Sequence, residues 1–257
     1  MADLHCRSAS VGVFQPLFRE INQSADVLLL GGDLTDRGLA EEAHVLAREL
    51  TSALRIPTIA VLGNHDFESG HETELSRTLA DAGVLMLDGE ACEVHGVGFV
   101  GVKGFGGGFG SRMLQSWGEG AIKQFVHEAV EEELKLESAL SQLRTPRRIV
   151  LMHYAPIRAT VIGESEEIFP FLGSSRLEEP LTRFGVTAAF HGHAHAGSPE
   201  GHTAGGVPVY NVAMPVLARR VAGAPLYRLL EVDPAGGNLD ADEVDLVAPQ
   251  VHRDIGV

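Results

Sequence analysis

Cysteine is nearly missing from this chain: there are two among 257 residues, Cys6 and Cys92, and neither belongs to a Cys-x-x-Cys pair. A disulfide framework and a zinc–thiolate site are thereby excluded as organising elements. No apolar run approaches the ~20 residues that a membrane-spanning helix requires. Positive charge is also scarce, with 20 Lys and Arg against 35 Asp and Glu, a formal net charge of −15. Such a surface repels polyanions, so recognition of a nucleic-acid polymer through a broad basic face is disfavoured. Only a local cationic centre would invert that field, and bound metal ions are the usual means. No repeat, low-complexity tract or linker interrupts the chain, so residues 1–257 read as a single domain. No leader segment precedes the first motif, and the expected location is cytoplasmic.

What is present is an apolar fraction of 44% and a mean hydropathy of +0.07, enough for a sizeable buried core. Twelve histidines stand against three tyrosines and one tryptophan. The pattern along the chain places them. Helical spacing predicts helices over residues 12–24, 39–54, 72–82, 119–143 and 175–184. Continuous apolar runs over 25–32, 57–63, 147–153 and 186–192 suit strands buried on both faces. Short strands are expected over 84–103, another over 206–213, and a closing hairpin over 226–245. The glycine-rich stretch 104–118 and the proline-containing stretch 154–173 read as long, flexible loops bordering a cleft. Strand–helix alternation followed by strand-rich segments gives an α/β fold of two packed mixed sheets with helices outside.

Ligands of open parallel sheets sit beyond the carboxyl ends of the strands, and here those ends share a chemistry. Asp3-Leu4-His5 opens the chain. The run 27–30 ends in Gly31-Gly32-Asp33-Leu34-Thr35-Asp36-Arg37-Gly38. The run 58–62 ends in Gly63-Asn64-His65-Asp66, the run 149–152 in His153, and the run 186–190 in His191-Gly192-His193-Ala194-His195. Singly, each has an ordinary explanation: a helix cap, a turn, a surface histidine. Together they bring carboxylate, amide and imidazole groups to one edge. A mixed Asp/His/Asn set without thiolates suits Mn, Fe, Zn, Co or Ni.

The order DxH, GDLTDRG, GNHD, H, GHAH over residues 3–195 resembles the calcineurin-like metallophosphoesterase superfamily. The resemblance implies a four-layer α/β/β/α sandwich and a phosphoester hydrolase with two divalent or trivalent metal ions. It implies that Asp3, His5 and His195 bind one ion, that Asn64, His153 and His193 bind the other, and that Asp33 bridges them. A metal-bridging hydroxide would then be the in-line nucleophile. His65 would aid the leaving group, with Asp66 orienting its ring. Arg37 either contacts phosphate or pairs with Asp36. His191 lies outside the motif and reads as a strand-end residue.

The phosphoprotein phosphatase branch reads GDYVDRG and GNHE. This chain departs from both and looks more like bacterial phosphodiesterase-type members, whose substrates are cyclic nucleotides and other small phosphodiesters. A phosphomonoesterase, a repair nuclease and an inactive scaffold of the same fold are the alternatives. Phe105, Phe109 and Trp117 either stack on a substrate ring or pack their loop. Only Met1 and Ala2 precede Asp3, so the first strand of the resemblance is nearly absent. That predicts a frayed start and a weaker hold on the ion of Asp3, His5 and His195.

Overall fold

The computed structural model describes residues 1–220 and 225–235. In chain order these residues form α1 (Gln15–Ser24), β1 (Leu28–Gly31), α2 (Ala40–Ala53), β2 (Thr58–Val61), α3 (Glu72–Asp81), β3 (Val84–Met86), β4 (Glu90–Val94) and β5 (Val97–Gly101). There follow α4 (Gly120–Gln142), β6 (Arg148–Leu151), the single-turn α5 (Phe169–Leu172), α6 (Glu178–Arg183), β7 (Ala188–His191), β8 (Glu200–His202), β9 (Pro208–Asn211) and α7 (Met214–Arg220).

Two sheets result, ordered β1-β2-β3 and β4-β5-β6-β7-β9-β8. The smaller is parallel throughout, not mixed as expected. The larger runs parallel across β5-β6-β7-β9 and closes with an antiparallel strand at each edge. Three apolar cores lie between four layers. The first seats α1, α2 and α3 on the small sheet through Phe18, Leu46 and Leu75. The second lies between the sheets, and the third seats α4 and α6 on the large sheet through Leu136, Leu140 and Leu181.

The strands divide these cores by their two-residue period. In β6, Ile149 and Leu151 face the other sheet while Val150 faces the helices. In β2, Ile59 and Val61 face between the sheets while Ala60 faces the outer helices. This is why those segments read as unbroken apolar runs. Each large side chain so buried contributes roughly 1.5–3 kcal/mol.

The first residues are firmly held, which corrects the expected fraying. Gly31 donates to the Met1 carbonyl at 2.9 Å, Ala2 donates to Val212 at 2.9 Å, and Asp3 donates to Gly32 at 3.0 Å. Residues 1–3 are thus tied to the end of β1 on one side and to the chain beyond β9 on the other. Ala2 is 0% and Asp3 3% exposed. The glycine-rich stretch also departs from expectation at its start. Gly104, Gly106, Gly107 and Gly108 are buried, and Gly107 donates to Pro170 at 2.6 Å and Gly108 to Gly173 at 2.9 Å. A Cβ on Gly106 would lie 2.5 Å from the Pro170 carbonyl oxygen. Glycine serves close approach of two backbones there, not mobility. No strand occurs over residues 225–235; the rest of the expected hairpin lies outside the described residues.

Candidate metal centre

Asp33 lies just beyond β1, Asn64 just beyond β2, His153 two residues past β6, and His193 and His195 past β7. Asp3 and His5 are carried by the start of the chain, pinned at the same edge. Asp3, His5, Asp33 and His195 each offer a ligand atom within 4.8 Å of one another, and Asp33, His153 and His193 do the same. Asp33 is common to both groups. The Oδ1 of Asn64 lies 2.9 Å from the Nε2 of His153.

The hydrogen bonds leave lone pairs aimed inward. His153 Nδ1 donates to the Gly31 carbonyl at 2.9 Å, which fixes the tautomer with an unprotonated Nε2. That Nε2 faces two further acceptors, Asn64 Oδ1 at 2.9 Å and Asp33 Oδ1 at 3.3 Å. Three acceptors converge with no donor among them, which suits a cation. His193 Nε2 donates to the Phe171 carbonyl at 3.0 Å, so its Nδ1 is the free nitrogen. In the other group, the Nε2 of His5 is buried and has no hydrogen-bond partner; it lies 3.8 Å from Asp33 Oδ2. An orphaned buried nitrogen costs free energy unless something coordinates it. The residues fit metal ions on these observations.

The backbone here is bent into a region that side chains avoid. Asp3 (φ 60°), His5 (φ 44°), Asp33 (φ 48°) and His193 (φ 68°) are left-handed, and among the described residues His95 alone of the other non-glycine residues shares that conformation. Each costs of order 1 kcal/mol and persists because its surroundings over-determine it. Glycines make the room. A Cβ on Gly63 would sit 2.2 Å from both the amide nitrogen and Oδ1 of Asp33, and one on Gly192 would sit 2.3 Å from Asp3 Oδ2.

Electrostatics differ between the groups. Burial pushes His193 down to about 3 and also lowers His5, so both are neutral and available as ligands. The hydrogen bond to Asp3 at 2.8 Å raises His195. Burial opposes ionisation of Asp3, yet its contacts with His195, His153 and the His193 amide hold its carboxyl below the usual range. His191 is buried and pushed down to about 4 by burial. It bonds the Thr160 hydroxyl at 2.8 Å and supports the loop from behind, as expected of a strand-end residue.

His65 sits at the rim, its ring edge-on to His5 with centroids 4.6 Å apart. Its Nδ1 is 2.7 Å from the Asp36 carbonyl. Burial opposes its protonation, but that carbonyl and the charges of Asp33, Glu68 and Asp36 raise its pKa. The expected orienting role of Asp66 requires correction, because its carboxylate is fully engaged elsewhere. Oδ1 accepts from Thr35 N at 2.8 Å and the Thr35 hydroxyl at 2.6 Å, and Oδ2 accepts from Gly63 N at 2.8 Å and Leu34 N at 3.1 Å. Asp66 fastens the two loops that present Asp33 and Asn64. Arg37 does not enter either group: its side chain is 70% exposed and lies 4.0 Å from Asp36 Oδ2. Arg158 pairs with Glu166 at 2.8 Å.

Sequence reading passed over Tyr154 and Phe171. Both line a cavity of about 390 Å³ that opens beside Asn64 and His193, with Phe105 and Phe125. Tyr154 carried a usable signal, since it follows the ligand-like His153 directly; Phe171 carried none. Phe109 packs instead on Phe169, centroids 6.3 Å apart, and Trp117 is 72% exposed.

The sequence profile of the family described as calcineurin-like phosphoesterase matches residues 1–197. The chain belongs to the calcineurin-like phosphoesterase family. As a member it is a metal-dependent phosphoester hydrolase. Its fold is similar to that of a phosphopantetheinyl hydrolase from Mycobacterium tuberculosis, with a TM-score of 0.66 and 18% identity over 93% of this chain and 96% of that one. It is also similar to TT1561 of Thermus thermophilus, with a TM-score of 0.50 and 15% identity over 81% and 88% of the two chains. GAP50, the anchor in the inner membrane complex of Plasmodium, has a TM-score of 0.50 and 12% identity over 84% and 71%. No curated protein matches the sequence. Among the described residues no helix is long and apolar enough to cross a membrane.

Proposed function

We propose that this phosphoesterase is a two-metal hydrolase of small phosphodiesters. The observation that carries the reading is the pair of ligand groups sharing Asp33, beside a cavity walled by aromatic rings. Asp3, His5 and His195 would hold one ion, Asn64, His153 and His193 the other, with Asp33 common to both. When bound, such ions polarise phosphoryl oxygens and make water nucleophilic near neutral pH; Mn, Fe, Zn, Co and Ni all suit this donor set.

The chain's own residues do the rest. His153 and His193 are locked by backbone carbonyls into the tautomers that expose a lone pair. His65, with Nδ1 tied to Asp36 and its pKa raised, holds a proton within the rim of the site for the departing ester oxygen. Asp36 anchors that rim by also pairing with Arg7 at 3.1 Å.

A diester is favoured over a monoester because the cavity beside the ions is lined by no Lys or Arg. A dianionic monoester would gain from such a cation, whereas a monoanionic diester has a second organic group to house. The net charge of −15 argues against a nuclease. A complete ligand set argues against an inactive scaffold. Cytoplasmic location belongs to the same reading, supported by two free cysteines. The test is hydrolysis of bis-p-nitrophenyl phosphate by Mn²⁺-loaded protein. Cleavage of p-nitrophenyl phosphate alone would overturn the diesterase assignment, and cleavage of neither substrate with any of the five metals would overturn the enzyme's two-metal mechanism.

A further inference from the structure

The cavity next to the metal-binding groups has a consistent chemistry. Its volume of about 390 Å³ lies toward the lower end of the ~300–1,000 Å³ that small-molecule sites span. Asn64 and His193 line it together with the rings of Phe105, Phe125, Tyr154 and Phe171. The rings support one another. Phe105 lies 4.9 Å from Phe125 and 5.8 Å from Tyr154, and Phe125 lies 5.9 Å from Phe171, between centroids. Tyr154 lies 4.4 Å from the His193 ring. Phe171 is tied to the metal end through the His193–Phe171 hydrogen bond, and the Phe105 segment is tied to that of Phe171 through the backbone bond from Gly107 to Pro170.

Two features mark the walls as a place for a ligand. Phe171 is 59% exposed and Ile168, also in the lining, is 41% exposed, an apolar mouth that folding alone does not call for. Lys103 packs against the rings of Phe105 at 4.8 Å and Tyr154 at 5.3 Å and is not among the lining residues. The lining itself offers an additional phosphate no lysine or arginine.

We propose that this cavity receives a flat, uncharged aromatic group of the substrate, so that the preferred phosphodiesters carry an aryl or nucleobase-sized ring. The proposal deepens, and rests on, the two-metal reading above. Four aromatic walls favour a ring over an alkyl chain of equal area, because offset and edge-on ring contacts add to area burial and a ring loses fewer rotamers on binding.

Non-hydrolysable phosphonates test this without turnover of the probe, as competitive inhibitors of the Mn²⁺-loaded enzyme. Phenylphosphonate should bind about tenfold more tightly than methylphosphonate, with n-butylphosphonate in between. In Phe171→Ala the phenyl-to-methyl ratio should fall to within about twofold of unity. Phe171 is exposed enough for this variant to fold, and Phe105→Leu gives a second reading with the apolar area largely kept. A ratio near unity in the wild type overturns the proposal. So does a ratio that survives both substitutions, and butyl binding as tightly as phenyl overturns the aromatic assignment. If no phosphonate competes and metal-loaded protein cleaves no phosphoester, the two-metal reading itself has failed, which is a different result from a ratio of one.

Discussion

Adding one methyl group at Gly63 should dismantle the centre. The new Cβ would lie 2.2 Å from both the amide nitrogen and the Oδ1 of Asp33, and 2.8 Å from Cε1 of His153. Ordinary contact begins at 3.4 Å, so Asp33 must retreat by about 1.2 Å. Metal–ligand distances tolerate about 0.2 Å. Asp33 belongs to both ligand groups, so both ions should be lost together. The fold should survive, because overpacking of this kind costs typically 1–3 kcal/mol. Elemental analysis of desalted Gly63→Ala, set beside urea unfolding of metal-free protein, separates the effects. The expected result is less than a tenth of wild-type metal at equal protein, with unfolding free energy lower by about 1–3 kcal/mol. Gly120→Ala is the control: nothing lies within 4 Å of its added Cβ, and it starts a helix. Retention of two metal equivalents by Gly63→Ala would refute the placement of Asp33 between the ions.

The same geometry sets further outcomes. Asp66→Asn should destabilise the metal-free protein by about 1–3 kcal/mol, since at least one of its backbone donors faces an amide NH2 in either flip; unchanged stability with reduced turnover would restore a catalytic role. His65→Gln should lower turnover about 10²–10⁴-fold while leaving metal content intact, and loss of metal would make it a ligand. Metal uptake by Asp3, His5 and His195 should depend on pH. His195 has a raised pKa, so the metal-free pair with Asp3 stabilises the fold fully below the ordinary histidine value, and that contribution disappears as pH rises through the raised one. A metal ion must displace that proton, so affinity at this group should fall about tenfold per unit as pH drops below the raised pKa. His193 and His5 are already neutral and should add nothing until lower pH. Flat affinity from pH 8 to 6 in a Mn²⁺ titration would contradict this.

The layers and the strand ends were legible because period and chemistry are local properties of sequence. An unbroken apolar run such as residues 149–151 signals that both its faces are buried, and the residues just beyond it carry the chemistry of the edge. Partnerships across the chain were not legible. Asp66 stands beside His65, and the resemblance implied that it orients the ring, yet its acceptors reach Leu34 and Thr35, some thirty residues earlier. Arg37 matched a phosphate-binding arginine in spelling, and its neighbour Asp36 offered the other reading; the structure places the guanidinium in solvent near Asp36, which the local sequence left open. The glycines at 104–108 were misread for a related reason. A missing side chain signals freedom or contact equally well, and only the position of Pro170 decides between them. Phe171 is tied to His193 through its backbone, a bond to which its side-chain identity contributes nothing.

The four left-handed residues carry a consequence for stability. Asp3, His5, Asp33 and His193 hold a conformation in which glycine would be more comfortable. At His5, whose buried Nε2 has no hydrogen-bond partner, a glycine should relieve backbone strain and, without metal, yield a sturdier fold, whereas at Asp3 and Asp33 it would strip the acceptors of the His193 and His65 amides. Stabilising the metal-free protein at His5 would therefore work against the centre that this residue helps to define. His5 thus gives up fold stability for its place in the ligand group.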